Sequence, residues 1–152
     1  LGLFSAFIGD PAIRLVAVEA AGSGLAGAGH AARLTEGRRG VLHGAETLVL
    51  SDDNGLTLEA ASIAPGLAYP GASPQLAHLA ATGRLETVTI ADDAAREIVK
   101  RFAAREGILV SLEAGHALAA AETIARTLPP SAVVAVMVAS AGDKDLDIIW
   151  DT

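Results

Sequence analysis

The sequence predicts an α/β layered fold in which buried parallel strands alternate with helices. Residues 13–18 (IRLVAV) and 133–138 (VVAVMV) are continuous apolar runs, typical of strands buried on both faces. Between them lie segments with helical periodicity and capping residues. The chain is 51% hydrophobic but only 3% aromatic, which favours an interior of small branched side chains. Its 152 residues suffice for a single domain, residues 1–152, and not for two.

The expected elements follow one another in a regular alternation. Pro11 is expected to end an opening apolar helix, because proline cannot continue a helix. The strand over 13–18 then leads into a glycine-rich connection over 22–29. Next comes a hairpin of strands 47–50 and 56–59 around Asp53-Asn54-Gly55. An ordered loop over 62–74, a helix over 74–82 and a strand over 85–90 follow. The next helix is expected to be capped by Asp92 or Asp93 and to end before Gly107, with Ile98, Val99 and Phe102 on its inner face. The last three elements are a helix over 113–128, the strand over 133–138 and a helix from Leu146.

Composition excludes several functional classes. The absence of cysteine leaves no disulfide framework and no thiolate metal site, and it fits a reducing compartment. A net charge of −7 without a basic stripe argues against a nucleic-acid partner. The apolar runs are too short to span a bilayer, so no membrane partner is expected. The start, Leu1-Gly2-Leu3-Phe4, lacks an initiator Met and reads as a helix entered midway, so we expect a chain truncated at its N-terminus.

Two short motifs carry weak signals for ligands. Residues 22–27 match GxGxxG after a predicted strand, but fewer than two helical turns follow before Gly37, so a glycine-rich connection is favoured over a nucleotide site. Glu113 and His116 have the E-x-x-H spacing of a metal-binding helix face, without a second copy of the motif. We expect His116 to be a hydrogen-bonded structural histidine. Glu113 is a candidate carboxylate near the carboxyl ends of the strands, where α/β proteins bind ligands.

Residues 142–145 (GDKD) directly follow the run VVAVMV, at a position where ligands bind in α/β folds. Ser140 precedes them and offers a hydroxyl, and Asp143 is expected to cap the next helix. The two lysines of the chain make poor nucleophiles. Lys100 lies beside Arg101 on the polar side of a helix, and two aspartates flanking Lys144 are expected to raise its pKa.

Several collinear stretches resemble the tryptophan synthase β chain, over essentially all 152 residues. They are VEAAGSG (18–24), GHAA (29–32), GVLHG (40–44), SIAPGLAYPG (62–71), EGI (106–108), LEAGHAL (112–118) and GDKD (142–145). The resemblance implies a three-layer parallel-sheet domain of the fold-type II pyridoxal-phosphate enzymes, plus a β-hairpin. It also implies that the reactive lysine, the mobile substrate-closing domain and the phosphate loop lie N-terminal to Leu1.

The resemblance implies a reaction and a set of site residues. The reaction replaces the hydroxyl of L-serine with indole, giving L-tryptophan and water, and pyridoxal 5'-phosphate carries the chemistry. Glu113 would be catalytic and would face the cofactor ring. Cofactor contacts would also come from the turn after VVAVMV, at Ala139, Ser140 and Gly142. The resemblance further implies Leu42, His43 and Ala68 at the substrate site and its tunnel, and main-chain carbonyls of Tyr69 and Gly71 as ligands of a monovalent cation, Na+ or K+.

This chain departs from the family pattern at the proposed site. The family's S-G-R-G-D-K-D reads here A-S-A-G-D-K-D, so Ala139 replaces the ring-contacting serine and Ala141 the arginine. The family's S-A-G-L-D-[FY]-P has Pro65 and Ala68 here, so the aspartate tied to closure is absent. Ala60 and Ala61 replace a Ser-His pair.

Three readings therefore stay open. The first is a cytoplasmic tryptophan synthase β-like lyase that partners an α chain, a second β chain and the missing N-terminal half. The second is a related fold-type II enzyme such as threonine synthase or cysteine synthase, against which YPG and GDKD argue. The third is a diverged or inactive homologue that serves as an assembly surface.

Overall fold

The structure is a computed structural model that describes residues 1–26 and 29–150. The elements are α1 (Gly2–Ser5), β1 (Val16–Gly22), β2 (Arg38–Leu42), β3 (Ala45–Val49), α2 (Pro74–Ala81), β4 (Glu86–Ala91), α3 (Asp92–Glu106), α4 (Leu112–Ala125), a 3-10 turn (Asp143–Asp145) and α5 (Leu146–Trp150). Strands and helices are interspersed along these residues, as the sequence predicts, although β1 to β3 follow one another, as do α3 and α4.

Strands β1 and β4 pair in parallel, which confirms the α/β prediction. Their register runs from Val16 beside Glu86 to Ala20 beside Ile90, and a bulge follows before Gly22. The predicted strand over 13–18 is therefore displaced toward the C-terminus, since its partner extends to Ala91. The burial pattern also differs from the prediction: the first residues of β1 are half-buried, and its last four are buried.

The hairpin prediction was wrong in its register. The two-residue turn lies at His43-Gly44, between β2 and β3, and not at Asp53-Asn54-Gly55. His43 and Gly44 have φ values of 50° and 79°, the positive pair that a tight hairpin turn of this type requires. The chain does reverse at 52–55, but only one bridge, Ser51 with Thr57, joins the flanks. The Asp52 carboxylate accepts the backbone N–H groups of Asn54 and Leu56 there, which closes a local turn in place of a ladder.

The predicted buried strand over 133–138 was also wrong. These residues form no strand, and five of the six are exposed, with Val133 at 92%. An apolar run forms a strand only where a neighbouring strand satisfies its backbone groups. Among the described residues no strand pairs with this run. The segment instead lies along the outside of α3 and α4, where Val134 and Val136 line an open groove with Phe102 and Leu118.

The helices follow the predicted boundaries closely. Helix α2 begins at Pro74, α3 ends at a left-handed Gly107, and Ser111 caps α4, its hydroxyl accepting the Ala114 N–H at 3.3 Å. Asp92 and Asp93 lie inside the first turn of α3, after the cap Ala91, so neither caps the helix as predicted. The opening helix is a single turn that ends at Ser5, well before Pro11.

Helices α3 and α4 pack closely, because Gly115 carries no side chain at their crossing. A Cβ there would lie 2.7 Å from the Ala95 carbonyl oxygen and from Val99 Cγ2. Val99, Val110, Leu112 and Ile149 form the fully buried centre of this packing. The N-terminus of α4 is thereby fixed against the edge of the sheet, which positions Glu113. In the part of the chain described, no helix is long and apolar enough to cross a membrane.

Candidate functional site

Asp92 joins three elements at the carboxyl end of β4. Its carboxylate accepts the Ser62 hydroxyl and the Ile63 N–H, each at 2.9 Å, and lies 3.1 Å from His116 Nε2. His116 is 1% exposed, and its Nδ1 lies 2.8 Å from the Leu112 carbonyl oxygen. Both ring nitrogens are occupied, so the prediction of a structural histidine is confirmed. Ser62 bonds the carboxylate and not the imidazole, so these side chains do not form a nucleophilic triad.

Glu113 lies in the first turn of α4 with its side chain only 20% exposed. Its Oε1 accepts the Gly66 backbone N–H at 2.8 Å, and both carboxylate oxygens accept from Lys144 Nζ, at 3.2 and 3.0 Å. Burial raises the pKa of this carboxyl, but hydrogen bonds from its own backbone N–H, Lys144 and Gly66 outweigh that effect and lower the pKa to about 2. Glu113 is therefore an ionised acceptor and not a proton donor at neutral pH.

Lys144 is the cation of this cluster. Its Nζ lies 2.7 and 2.9 Å from the two oxygens of Asp145, which is 1% exposed. Burial lowers the pKa of Lys144, but hydrogen bonds to Asp145 and Glu113 prevail and raise it, as the sequence predicts. The raising carboxylates are Asp145 and Glu113, where the sequence suggested Asp143 and Asp145. Lys144 is thus a protonated tether.

Asp145 and Ser111 hold the N-terminus of α4 in place. The Leu112 N–H donates to the buried Asp145 carboxylate at 2.9 Å. A carboxylate at a helix N-terminus is favoured by the helix dipole and satisfies an otherwise free N–H. Asp143 was expected to cap the helix that follows it, but Gly142 is the cap residue and no side chain caps that turn.

The turn over 139–142 docks beside the start of α4. The Ala139 carbonyl accepts the Ser111 hydroxyl at 3.0 Å, and the Ser140 carbonyl accepts the Ser111 N–H at 3.3 Å. Ala141 bridges Val110, and the buried Gly142 fits so closely that a Cβ there would lie 2.2 Å from the Val110 carbonyl oxygen. The structure therefore brings Ala139, Ser140 and Gly142 next to the helix end that carries Glu113. Ala139 and Ser140 are exposed, and Ser140 has a left-handed φ of 67°.

The predicted tunnel and cation residues meet at the tip of the hairpin. The rings of His43 and Tyr69 are stacked with centroids 6.1 Å apart. Leu42 packs against Gly71, where a Cβ would lie 2.6 Å from Leu42 Cδ2. Ala68 is half-buried in the same loop, and its N–H donates to the Pro65 carbonyl.

Arg33 was missed by sequence reasoning. Its Nη1 donates to the carbonyl oxygens of Leu67 at 2.6 Å, Tyr69 at 3.1 Å and Ala31 at 3.5 Å. Burial lowers the pKa of Arg33, opposed by the Glu19 carboxylate. The available signal was a single basic residue directly after the glycine- and alanine-rich stretch GHAA. The Tyr69 carbonyl, which the resemblance assigns to a monovalent cation, therefore accepts from a guanidinium in this structure, and ion binding there stays a prediction.

The two weaker motifs form no ligand site in the described residues. Glu113 and His116 bond different partners, and no group of three potential metal ligands occurs among residues 1–26 and 29–150. In the GxGxxG stretch, β1 ends at Gly22 and the Ser23 N–H donates to the Gly29 carbonyl, as in a simple connection. Gly27, the last glycine of that motif, lies outside the described residues.

The comparisons with known proteins agree with this geometry. The family described as pyridoxal-phosphate dependent enzyme matches residues 1–140. The tryptophan synthase beta chain of Xylella fastidiosa (strain M12) is 46% identical over 149 residues, and that of Xanthomonas campestris pv. campestris (strain B100) is 43% identical over 149 residues. Each match covers 98% of this chain, which spans 37% of the length of these relatives. The chain belongs to the family of pyridoxal-phosphate dependent enzymes of fold type II.

Proposed function

We propose that the protein containing this chain is a tryptophan synthase β-type lyase, which makes L-tryptophan from L-serine and indole in the cytoplasm. The observation that carries the proposal is the position of Glu113. It lies ionised at the N-terminus of α4, directly beside the turn over 139–142, as the resemblance to the tryptophan synthase β chain requires of two cofactor-contacting groups. Identity of 46% over 149 residues with such a chain supports the same activity.

The residues present suit pyridoxal phosphate on one side of the site. When bound, the cofactor supplies the electron sink for carbanion chemistry at the substrate. Glu113, held by Gly66 and Lys144, would present a fixed negative charge to the ring. The exposed turn at Ala139 and Ser140 would lie toward the pyridine nitrogen. The lysine and phosphate loop would come from residues outside this chain, because Lys100 pairs with Glu97 and Lys144 with Glu113 and Asp145.

Partners follow from the same proposal. We expect the β-type chain to bind an α chain and a second β chain, and the tunnel residues Leu42 and His43 to face the path of indole. We expect no monovalent cation at the Tyr69 carbonyl, because that carbonyl accepts from Arg33.

A second candidate, an inactive homologue serving as an assembly surface, is favoured by one specific observation. The reacting side chains that the family pattern has at Ala68, Ala139 and Ala141 are replaced by methyl groups, while residues 133–138 form an exposed apolar surface. The two candidates differ in whether the whole protein turns over substrate. A cofactor absorbance spectrum and a serine-plus-indole assay of the full-length protein separate them, and parallel threonine synthase and cysteine synthase assays test the related enzymes.

The role of Glu113 is tested by Glu113→Gln, which keeps an acceptor for Gly66 and removes the charge. We expect turnover of serine and indole to fall about a hundredfold, since misplacement or loss of charge at a reacting centre has an effect of this order. Glu122→Gln is the matched control, because Glu122 pairs only with the surface residues Arg101 and Arg126. Unchanged turnover in Glu113→Gln would contradict the assignment.

The departures at 139–141 offer a gain-of-function test. The triple change Ala139→Ser, Ser140→Gly and Ala141→Arg restores the family pattern, and we expect it to raise turnover by more than it raises cofactor affinity. A hydrogen bond to a cofactor contributes only ~1 kcal/mol, whereas positioning affects rate by about two orders of magnitude. Unchanged turnover in a cofactor-binding variant would show that this turn is not the ring contact.

A further inference from the structure

Arg33 is cradled by main-chain carbonyls of the loop that carries Tyr69. Its Nη1 donates to carbonyl oxygens at positions 31, 67 and 69, two of which belong to the loop over 62–73. A ring of carbonyl oxygens is also the coordination that alkali cations take in proteins. The guanidinium therefore occupies the Tyr69 carbonyl, one of the two carbonyls that the resemblance assigns to an ion.

We propose that the Arg33 guanidinium is a built-in cation that replaces the monovalent ion at the Tyr69 carbonyl, so that the loop over 62–73 is ordered without Na+ or K+. This inference rests on the proposed function, because the resemblance behind that function places a monovalent cation at the Tyr69 carbonyl. An ion on the Tyr69 carbonyl would share its coordination shell with a guanidinium that is always charged, and the two positive charges would repel. Covalent attachment to the chain fixes the positive charge at this position whatever ions the solvent contains.

The location gives this replacement a structural consequence. The loop that Arg33 tethers also donates the Gly66 N–H to Glu113 and stacks Tyr69 on His43. The order of this loop therefore affects both the position of Glu113 and the stack of Tyr69 on His43. A neutral side chain at position 33 leaves the carbonyls of Leu67 and Tyr69 without this donor, and an alkali ion can then take its place.

The test compares thermal unfolding of the natural protein that contains this chain in NaCl, KCl and choline chloride at equal ionic strength. The wild type is expected to have the same midpoint in all three salts. Arg33→Met, which keeps the stem and removes the charge, is expected to unfold about 5 °C lower in choline chloride and to recover part of that loss, saturably, in NaCl or KCl. Arg33→Gln carries the same expectation should the methionine variant fail to fold, and 23Na line broadening should detect ion binding by the neutral variants alone.

Arg84→Met is the matched control. Arg84 also donates to three carbonyls, those of Phe7, Ile8 and Asp10, in the turns that follow α1. That variant should lose stability equally in every salt. A wild-type midpoint that rises saturably with Na+ or K+ would overturn the proposal, and so would neutral Arg33 variants whose midpoints are the same in all three salts. Because the readouts are stability and ion binding, a failure here is distinct from a failure of the serine-plus-indole assay.

Discussion

Replacing Ser140 with glycine should stabilise the protein, an unusual direction for a single substitution. Ser140 has a φ of 67°, in the left-handed region that costs an L-residue roughly 1–2 kcal/mol. Glycine escapes that strain but loses about 0.4–1 kcal/mol more chain entropy on folding. The hydrogen bond that this residue makes to Ser111 uses its carbonyl and survives the change. The net expectation for Ser140→Gly is a gain of about 0.5–1 kcal/mol in the free energy of unfolding.

The assay is urea denaturation of Ser140→Gly beside Ser73→Gly. Ser73 has ordinary extended angles, φ −61° and ψ 131°, and its side chain makes no capping hydrogen bond. The same substitution there removes no strain and should lower stability by about 0.5 kcal/mol through chain entropy alone. The two variants should therefore move in opposite directions. A loss of stability in Ser140→Gly equal to that in Ser73→Gly would refute the reasoning from backbone strain.

Four further outcomes follow from other features. Because folding lowers the pKa of Glu113 to about 2, its charge stabilises the fold above pH 4.5, and this contribution vanishes as pH falls toward 2. The difference in unfolding free energy between wild type and Glu113→Gln should therefore shrink over that window from about 1–2 kcal/mol, a value reduced for solvent screening. A difference that does not change with pH would contradict this expectation. Gly142→Ala should cost about 1–3 kcal/mol in denaturant unfolding, because its Cβ would overlap the Val110 carbonyl, whereas Gly9→Ala, with open space around it, should cost little. Borohydride treatment of the 152-residue chain with pyridoxal phosphate should trap no stoichiometric lysine adduct, and mass spectrometry showing one would overturn this. The same chain should bind a hydrophobic dye through residues 133–138, so a dye-negative monomer would argue against an exposed apolar surface.

Local signals explain which elements could be predicted. Helices α2, α3 and α4 were found because proline, glycine and serine at their ends act within one turn of the chain. The strand predicted over 133–138 does not form, and its absence could not be foreseen, because strand pairing depends on a neighbour that no local pattern specifies. The hairpin was assigned to the stronger dipeptide signal at Asn54-Gly55, whereas the ladder formed at His43-Gly44. There the alternating residues of β2 and β3, and not the turn residues alone, decide the register.

The site was predictable in its parts and less so in its connections. Glu113 was identified from its expected place at a helix start, and the turn over 139–142 from a preceding strand that did not form and from the family resemblance. The structure lays the two side by side. Arg33 gave little signal, because a lone arginine after GHAA has no periodic or motif context. Its importance comes from carbonyls 34 and 36 residues away in sequence. Long-range contacts between a side chain and the main chain leave no trace in composition or spacing.

The loop over 62–73 shows why stability alone will not decide between an enzyme and an assembly surface. It departs from the family pattern at Pro65 and Ala68, yet its contacts with the site are mostly made by backbone groups. The N–H of Gly66 binds Glu113, and the carbonyls of Leu67 and Tyr69 accept from Arg33. These backbone groups belong to Gly66, Leu67 and Tyr69, so the contacts do not use the side chains at 65 and 68. The scaffold is therefore retained where reacting side chains have changed, and only turnover by the whole protein can show whether chemistry is retained with it.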